Sequence, residues 1–405
     1  MGHRLWAVIG LMVSLVTLQA GTKNIVGDLL VEAARLETFS KNLYGQNSNN
    51  YTAPLTAEWE QFRDAATALL NGNYATAESL AAPLDYQLVY FQHTNPVTGL
   101  VGLRCVEDEN GPLRGWGTFF VNTNAAVNVL VEAPHPQADF RSPQTAAEMF
   151  IKSGALGLLI AGANRHVNGT GTADPCDLVD TAFHAVHVAW NGASGENVAW
   201  QIHGFSVAGH EEFPDGTLAV LSTGQGGDNF MSTNVIRLDE VLEVNGVKSY
   251  AYNKNLADND PLNLLVNEGV SGQTFTNLGA RSNVQGIYSR GLGGEFVHVE
   301  LATYVRTNAP TRTLTADAVA AAMLRFRTNV LGAPSAFSLV PQASVNGNLV
   351  WDVPTESRHP YFIDFRTELS AGEWQSLYAF PGEGTARRFT NSVAGPTGFY
   401  RVRGE

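Results

Sequence analysis

The hydrophobic pattern in the middle of the chain predicts three buried strands that each end in polar side chains. The apolar runs cover residues 125–133, 155–161 and 197–202. The side chains that follow them are His135, Asp139 and Arg141, then Arg165 and His166, and finally His203. In an open α/β sheet the ligand crevice lies beyond the carboxyl ends of the strands. We therefore expect these side chains to meet there, although they are far apart in sequence.

A helix is predicted between the first two runs. Ser142 suits the N-cap, Pro143 the first helical position, and Gly154 is well placed to end the helix. Strand, helix and strand predict a right-handed crossover that joins two parallel strands. The predicted fold class is therefore α/β, with a mixed, largely parallel twisted sheet and helices on both faces.

The flanking segments complete a predicted α/β domain of residues 85–332. Residues 21–84 predict an N-terminal helical segment that packs against the domain, in which the helical pattern begins at Lys23 and a second helix covers residues 56–70. Alternation with a period of two directly after this segment predicts antiparallel strands that enter the sheet. A helix at about residues 316–330 closes the domain.

Residues 333–405 have a different pattern. Short alternating strands carry aromatic side chains between Pro, Gly and Asn turns, which predicts a small all-β sandwich. Exposed aromatic side chains would let such a module bind a surface glycan, although aromatics in a small sandwich more often form its core.

The first 20 residues have the pattern of a secretory signal peptide. A short basic start precedes an apolar run of residues 5–18 and the small-residue exit at Ala20. The run is too short for a comfortable membrane span. An uncleaved anchor is the alternative, because Leu18 is a poor residue three positions from the end of the peptide. We expect a secreted or periplasmic protein with no membrane span once the signal is removed.

Composition and charge narrow the classes of function. Hydrophobic residues make up 44% and charged residues 16% of the 405 residues, a balance typical of folded proteins with two or three domains. The formal net charge of −13 leaves no excess of Lys and Arg to neutralise phosphates. A nucleic-acid or anionic-membrane binder is therefore not expected.

The chain has two cysteines, Cys105 and Cys176. Export implies an oxidising compartment, in which the two form a disulfide candidate; two buried thiols are the alternative. Two cysteines alone cannot build a four-thiolate zinc site.

The strand-end residues suit a catalytic zinc site. Such a site takes three ligands from His, Asp or Glu and keeps one position for water, and His135, Asp139 and His203 would supply them. Glu300 shares one face of an alternating strand with His298 and would act as general base. The alternative is that each histidine at a strand end is an ordinary polar residue with satisfied hydrogen bonds.

Other polar residues suit the substrate. Arg141 or Arg165 would hold an oxyanion or a substrate carboxylate. Arg281, Asn283 and Gln285 follow one another closely and would bind the substrate. His184 and His187, three apart on a predicted amphipathic helix, suggest a second metal site, but packing histidines are the favoured interpretation.

The order of these residues resembles that of a known family. His135-Pro-Gln-Ala-Asp139, then His203, then His298-Val-Glu300-Leu is similar to the zinc carboxypeptidase fold, and in particular to its amidohydrolase-like relatives such as the poly-gamma-glutamate hydrolases. The resemblance covers about residues 85–330. It implies one zinc ion bound by His135, Asp139 and His203, with Glu300 as catalytic base. In carboxypeptidases proper a His and a Glu separated by two residues take the place of the His and Asp here.

We therefore expect an exported zinc-dependent hydrolase of peptide or amide bonds that acts on a small peptide or amide substrate. A hydrolase of formylamino acids or other amides would share the zinc site and differ in its pocket. The alternative from another class is a secreted, non-catalytic binding protein that uses the same fold and recognises its partner through the β-module.

Overall fold

The structure, a computed structural model, describes most of the chain. The described ranges are 22–105, 114–193, 198–224, 232–252, 257, 259–270, 277–325, 340–345, 348–357, 359–368, 372–392 and 398–405. The predicted signal peptide and the linker after the last helix of the α/β domain lie outside these ranges.

A large sheet forms the centre of the fold. Its strands are β1 (Lys23–Gly27), β2 (Tyr86–Thr94), β3 (Val97–Cys105), β4 (Thr118–Asn122), β5 (Val127–Ala133), β6 (Ala155–Ile160), β7 (Val198–Phe205), β8 (Ala219–Ser222), β9 (Ser249–Ala251) and β10 (Glu295–Ala302). Their spatial order is β1-β2-β3-β4-β6-β5-β7-β10-β8-β9. The pairs β1–β2, β5–β6, β5–β7, β7–β10 and β8–β9 are parallel, and the others in this order are antiparallel. The predicted mixed, mostly parallel sheet is confirmed.

Helices cover both faces of this sheet. They are α1 (Leu29–Leu43), α2 (Thr56–Leu70), α3 (Tyr74–Ala81), α4 (Ser142–Ser153), α5 (Ala182–Ala193), α6 (Thr233–Val244), α7 (Pro261–Asn267), α8 (Val284–Gly291), α9 (Thr303–Thr307) and α10 (Ala309–Arg325). Residues of α1, α4, α6 and α10 lie in one hydrophobic core and those of α2, α3 and α5 in another. Trp200 and Trp190 are fully buried in the first and second core respectively. Truncation of either to alanine would cost about 3–5 kcal/mol.

The predicted crossover from β5 through α4 to β6 is confirmed, because β5 and β6 are parallel neighbours. Gly154 ends α4 with a φ of 62°, a conformation that favours glycine. The start of α4 differs from the prediction. Arg141, with a φ of 64°, takes the N-cap position, and Ser142 is the first helical residue. The cause is a tight turn in which the backbone N–H of Ser142 donates to the carbonyl of Asp139 at 2.7 Å.

The helical prediction for residues 21–84 is wrong at its beginning. Lys23–Gly27 is an edge strand that pairs in parallel with β2. The first helix starts only after Asp28, whose carboxylate caps it by accepting from the N–H of Leu30 at 2.8 Å. The strand β1 belongs to the central sheet and α1 to its core. The predicted helix at residues 56–70 is confirmed as α2.

The last helix of the α/β domain, α10, begins earlier than the predicted residue 316. Beyond it the chain forms two small antiparallel sheets, as the pattern predicts. One contains β11 (Val340–Val345), β12 (Asn348–Val353) and β15 (Arg387–Ser392), and the other β14 (Gln375–Pro381), β13 (Pro360–Arg366) and β16 (Phe399–Gly404). We call these strands the β-module.

The β-module packs directly on α6 and α10. Phe362 and Ala379 belong to the same hydrophobic core as the central sheet. The side chain of Asn245 binds both backbone groups of Ala379, at 2.9 and 2.7 Å. The fully buried carboxylate of Asp317 on α10 accepts from Lys152 at 2.7 Å and also from Tyr378 and Arg387 of the module. Among the helices described, none has both the length and the apolar character that a membrane span needs.

Candidate functional site

The register of three neighbouring parallel strands builds the floor of a site at their carboxyl ends. Glu132 on β5 lies beside Gln201 on β7, and Gln201 lies beside His298 on β10. In the next row along the strands, His203 lies beside Glu300. Because side chains two positions apart on a strand share a face, all five project to the same side of the sheet.

A cavity of about 550 Å³ lies over this floor. The predicted site residues that line it are His135, Asp139, Arg165, His203, Arg281, Asn283 and Glu300. Further polar residues contribute to its lining, among them Asp174, Cys176 and His298. The convergence expected from the strand ends is present for His135, Asp139, Arg165 and His203, but Arg141 and His166 do not line this cavity. The lining also includes side chains that the strand pattern did not indicate.

Asp139 lies between two histidine rings. Its Oδ2 is 3.3 Å from Nδ1 of His135 and 3.1 Å from Nδ1 of His203. The other nitrogen of His135, Nε2, lies 2.9 Å from Oδ1 of Asp174. Carboxylates in such positions fix the orientation of metal-binding histidines. The carboxylate that the sequence suggested as a ligand therefore has the contacts of an orienting group.

Among the residues that the structure describes, two buried groups of side chains could hold a metal ion, and they share His203. One contains His135, Cys176 and His203, the other His203, His298 and Glu300, and within each group the ligand atoms lie within 4.8 Å of one another. Asp139 belongs to neither group. Imidazole and thiolate donors suit zinc and other first-row transition metals rather than magnesium or calcium.

Acceptors around the buried histidine rings raise their pKa values. Burial alone would lower the pKa of His203, but Cys176, Asp139 and Glu300 outweigh burial and raise the pKa to about 10. Burial also acts to lower the pKa of His135. Cys176 and the neighbouring carboxylates outweigh burial, so the pKa of His135 lies well above its usual range. A metal ion would have to displace protons from these rings, so metal affinity falls as the pH falls.

Glu300 has the complementary property. Burial raises its pKa to about 7, with His203 opposing the shift and Asp139 adding to it. Its Oε1 lies 3.5 Å from Nε2 of His298, a ring that burial and the nearby His203 keep at a pKa well below the usual range. In the part of the chain that the structure describes, Oε2 of Glu300 is buried and has no hydrogen-bond partner. The carboxyl group can therefore exchange a proton near neutral pH and has one oxygen available to a ligand.

Cys176 belongs to this site and not to a disulfide. Its Sγ lies 3.6 Å from Oε1 of Gln201 and 3.8 Å from Nε2 of His203, and the thiol is free. The predicted bond to Cys105 is wrong, because Cys105 ends β3 and the strands β4, β6 and β5 separate β3 from β7. Four strand spacings amount to about 19 Å, whereas disulfide Cα atoms lie within about 7 Å. Asp174-Pro175-Cys176 follows the second strand-end cluster, which is the sequence signal for its place here.

The structure separates the predicted arginines. Arg165 lines the cavity with its Nη1 3.9 Å from Oδ2 of Asp174, and Arg281 lines it with an exposed side chain. Arg141 lies outside the cavity, where its Nη1 donates to the carbonyl of Thr307 at 3.5 Å. The tight turn before α4 directs it there. The role in catalysis proposed for Arg141 therefore has no basis in its position.

Gln285 also lies outside the cavity lining, beneath the site. It is fully buried and its Nε2 donates to the carbonyl of Pro175 at 2.7 Å. Asn283, in contrast, lines the cavity and donates to Oε1 of Gln201 at 2.6 Å. Of these two amides, the position of Asn283 suits contact with a substrate, whereas Gln285 supports the loop that carries Cys176.

His184 and His187 are both buried on α5. His187 is fully buried, with Nδ1 2.8 Å from Oε1 of Glu132 and Nε2 2.9 Å from Oγ of Ser289. Burial, with a contribution from His187, lowers the pKa of His184 to about 3. Neither histidine belongs to the groups of described residues that could hold a metal ion.

Arg306, which the sequence did not indicate, links two backbone segments of the site by hydrogen bonds. Its guanidinium donates to the carbonyl of Phe140 and, at 3.1 Å, to the carbonyl of Leu301. It thereby connects the turn that carries Asp139 to the end of the strand that carries Glu300. Gly204 leaves room for it, since a Cβ at this position would lie 2.1 Å from Cζ of Arg306.

Comparisons with known proteins identify no family. The chain matches no family model and no curated protein. Among solved structures it is similar to the gene product Atu2144 from Agrobacterium tumefaciens, with 15% sequence identity, 51% of this chain and 92% of that chain covered, and a TM-score of 0.28.

Proposed function

We propose that this chain is an exported, zinc-dependent hydrolase of peptide or amide bonds with a carboxypeptidase-like fold. The observation that carries the proposal is the meeting of two buried metal-binding groups at His203, in a cavity that also holds a carboxyl group with one oxygen unpaired among the described residues. Perturbed titratable groups gathered in a cavity are typical of active sites.

The donor set favours one zinc ion held by His135, Cys176 and His203, with Asp139 orienting both rings. A bound zinc ion lowers the pKa of its water to about 7 and polarises a carbonyl group. The available oxygen of Glu300 suits the same centre, because Glu300 belongs to the second group, which shares His203 with the first.

In this proposal Glu300 is the general base. A carboxyl group with a pKa of about 7 accepts a proton from water and returns it to the leaving amine near neutral pH. Arg165, Arg281 and Asn283 line the same cavity and would bind the carboxylate or amide of the substrate. The volume of about 550 Å³ suits a small peptide or an acylated amino acid.

Metal analysis of the purified protein tests the proposal. We expect about one zinc ion per chain, loss of activity on chelation and recovery on zinc addition. The substrates to screen are gamma-glutamyl peptides, cell-wall peptides and formylamino acids. Absence of bound metal, together with no metal-dependent activity on any of these amides, would contradict the proposal and favour the secreted binding protein.

Thiol-dependent hydrolysis is a second candidate, and a specific geometry favours it. Cys176 Sγ lies 3.8 Å from Nε2 of His203, whose Nδ1 lies 3.1 Å from Asp139. Thiol, imidazole and carboxylate in this order form the nucleophile, base and orienting group of cysteine hydrolases. Activity that survives chelation but is lost on alkylation of Cys176 would select this candidate over the zinc enzyme.

Glycan binding by the β-module is proposed as an accessory function. A cavity of about 420 Å³ in the module is lined by Trp351, Tyr378, Phe389 and Tyr400 among others. Trp351 is also part of the module's core, so only the half-buried rings would contact a sugar. Retention of the protein on polysaccharide, lost in Phe389→Ala, tests this; equal retention of both proteins contradicts it.

A further inference from the structure

The amide of Gln201 lies fully buried beneath the candidate metal site, and its Oε1 faces three donors. These are Nδ2 of Asn283 at 2.6 Å, Nε2 of His203 at 2.8 Å and Sγ of Cys176 at 3.6 Å. His203 belongs to the same strand as Gln201, whereas Cys176 and Asn283 come from two separate loops. One carbonyl oxygen thus gathers side chains from three segments of the chain.

Glu132 determines which way this amide points. Nε2 of Gln201 donates to Oε2 of Glu132 at 3.0 Å, and Glu132 is fully buried. A reversed amide would place its oxygen against the carboxylate and leave Asn283, His203 and Cys176 facing an NH₂ group. Because unmatched buried polar groups are destabilising, the orientation is fixed.

The other carboxylate oxygen of Glu132 has a partner as well. Its Oε1 lies 2.8 Å from Nδ1 of His187, and Nε2 of the same ring lies 2.9 Å from Oγ of Ser289. The parallel register of β5 and β7 places Glu132 directly beside Gln201. The pairing of Glu132 with Gln201 is therefore set by the sheet and does not depend on the loops that carry Cys176 and Asn283.

We infer that Gln201 is the positioning residue of this site, with Glu132 as the group that orients it. Together they hold Sγ of Cys176 and Nε2 of His203 3.8 Å apart in the metal-free protein, and a metal ion would take the place of the protons that these two atoms direct at Gln201. The metal part of this inference rests on the proposed function. The contacts of Gln201 with Cys176 and Asn283 do not depend on the proposed function, because the protein makes them without a metal ion.

The test replaces the acceptor and then restores it. Gln201→Met keeps the length of the side chain but removes the oxygen. Gln201→Glu places two carboxylates side by side. The double variant Glu132→Gln/Gln201→Glu restores a matched pair, because the new amide at position 132 donates to the new carboxylate at position 201.

Two measurements follow each variant. The first is cobalt(II) binding. Its affinity is measured by competition with a chromophoric chelator, and the absorption bands of the bound ion are recorded. The second is the rate at which iodoacetamide alkylates Cys176 in the metal-free protein, read by peptide mass. We expect Gln201→Met to weaken cobalt binding about 10- to 100-fold and shift its bands, and to raise the alkylation rate at least fivefold. The double variant should return the affinity to within threefold of the wild type and alkylate no faster.

The matched control is Asn267→Leu, which removes another fully buried amide that does not line the cavity and binds the backbone of Ala251. It should lower stability and leave both measurements unchanged. An alkylation rate in Gln201→Met equal to that of the wild type overturns the inference, whatever the metal does. If Gln201→Met does not fold, Gln201→Glu compared with the double variant decides, and a double variant no better than the single one overturns the inference.

The two proposals fail differently. Wild-type protein that binds no cobalt while Cys176 responds to Gln201→Met contradicts the zinc enzyme and leaves the positioning role standing. Wild-type protein that binds cobalt while Gln201→Met changes neither measurement contradicts the positioning role and leaves the zinc enzyme standing.

Discussion

Glu300 and His203 are register partners on adjacent parallel strands, so that a carboxyl group and an imidazole from distant parts of the chain face one cavity. Neither side chain can leave this relationship without a shift of the whole sheet. The site is therefore as rigid as the strands that carry it, and single substitutions should report on chemistry more than on loop motion.

His203→Ala removes the member that both metal-binding groups share. We expect metal affinity to fall at least ~100-fold, because a three-ligand site loses one ligand, and activity to fall with it. Zinc content after dialysis measures the first effect. His210→Ala is the control, since His210 lines the same cavity but belongs to neither group. Full zinc retention in His203→Ala would contradict the assignment.

Asp139→Asn distinguishes an orienting carboxylate from a ligand. The contacts of Asp139 with both Nδ1 atoms predict a loss of metal affinity of about 10- to 100-fold, as for other outer partners of metal-binding histidines. Isothermal titration with zinc measures it. A loss as large as that of His203→Ala would instead make Asp139 a ligand, as the sequence alone suggested.

Glu300→Gln should separate binding from chemistry. The variant keeps the shape of the side chain but cannot accept a proton, so activity should fall about 100- to 10,000-fold. Metal content should stay near that of the wild type, because His135, Cys176 and His203 are intact. Substantial remaining activity at saturating zinc would exclude Glu300 as the base.

Gly204→Ala should disturb the site by displacing Arg306. The new Cβ would overlap the guanidinium of Arg306, which is buried and holds the carbonyls of Phe140 and Leu301. Displacing it should cost about 1–3 kcal/mol of unfolding free energy, measured by urea denaturation. Gly209→Ala is the matched control, since a Cβ there meets no atom of the described residues within 4 Å. Equal stability of the two variants would show that Arg306 moves aside freely.

The stability of the fold should depend on pH through Asp239. Burial raises its pKa to about 8, with Ser249 opposing the shift and nearby glutamates adding to it. In the unfolded chain the group ionises near pH 4. Its contribution to stability is therefore complete below about pH 4 and is lost progressively as the pH rises towards 8.

Asp239→Asn should accordingly gain stability relative to the wild type as the pH is raised from 5 to 9. Urea unfolding at several pH values measures the difference, with substitution of the exposed Asp215 by Asn as control. A constant difference between Asp239→Asn and wild type across this range would show that Asp239 ionises normally in the folded protein.

The strand-end pattern located the cavity because burial along a strand and polarity at its end are local properties. His135 and His203 were found in this way, Glu300 was found from the alternation of its strand, and the bounds of α2 followed from helical periodicity. Properties that depend on tertiary contacts were not accessible. Cys176 lies in a loop without periodicity, and its neighbours Gln201 and His203 are known only once the sheet is assembled.

Arg141 and the first strand show two further limits of the pattern. The positive φ of Arg141 turns its side chain away from the cavity, and no local signal announces that turn. Lys23–Gly27 is a short edge strand whose pairing with β2 decides its conformation. In both places a contact between distant segments overrides the preference of the local sequence.

The docking of the β-module has a practical consequence for any study of the α/β domain without it. Cutting the chain after α10 would expose the core residues that Phe362 and Ala379 cover, and would strip Asp317 of Tyr378 and Arg387. A buried carboxylate that loses partners destabilises what remains. The shortened protein would be destabilised, and a lack of activity in an assay of it would say nothing about the site.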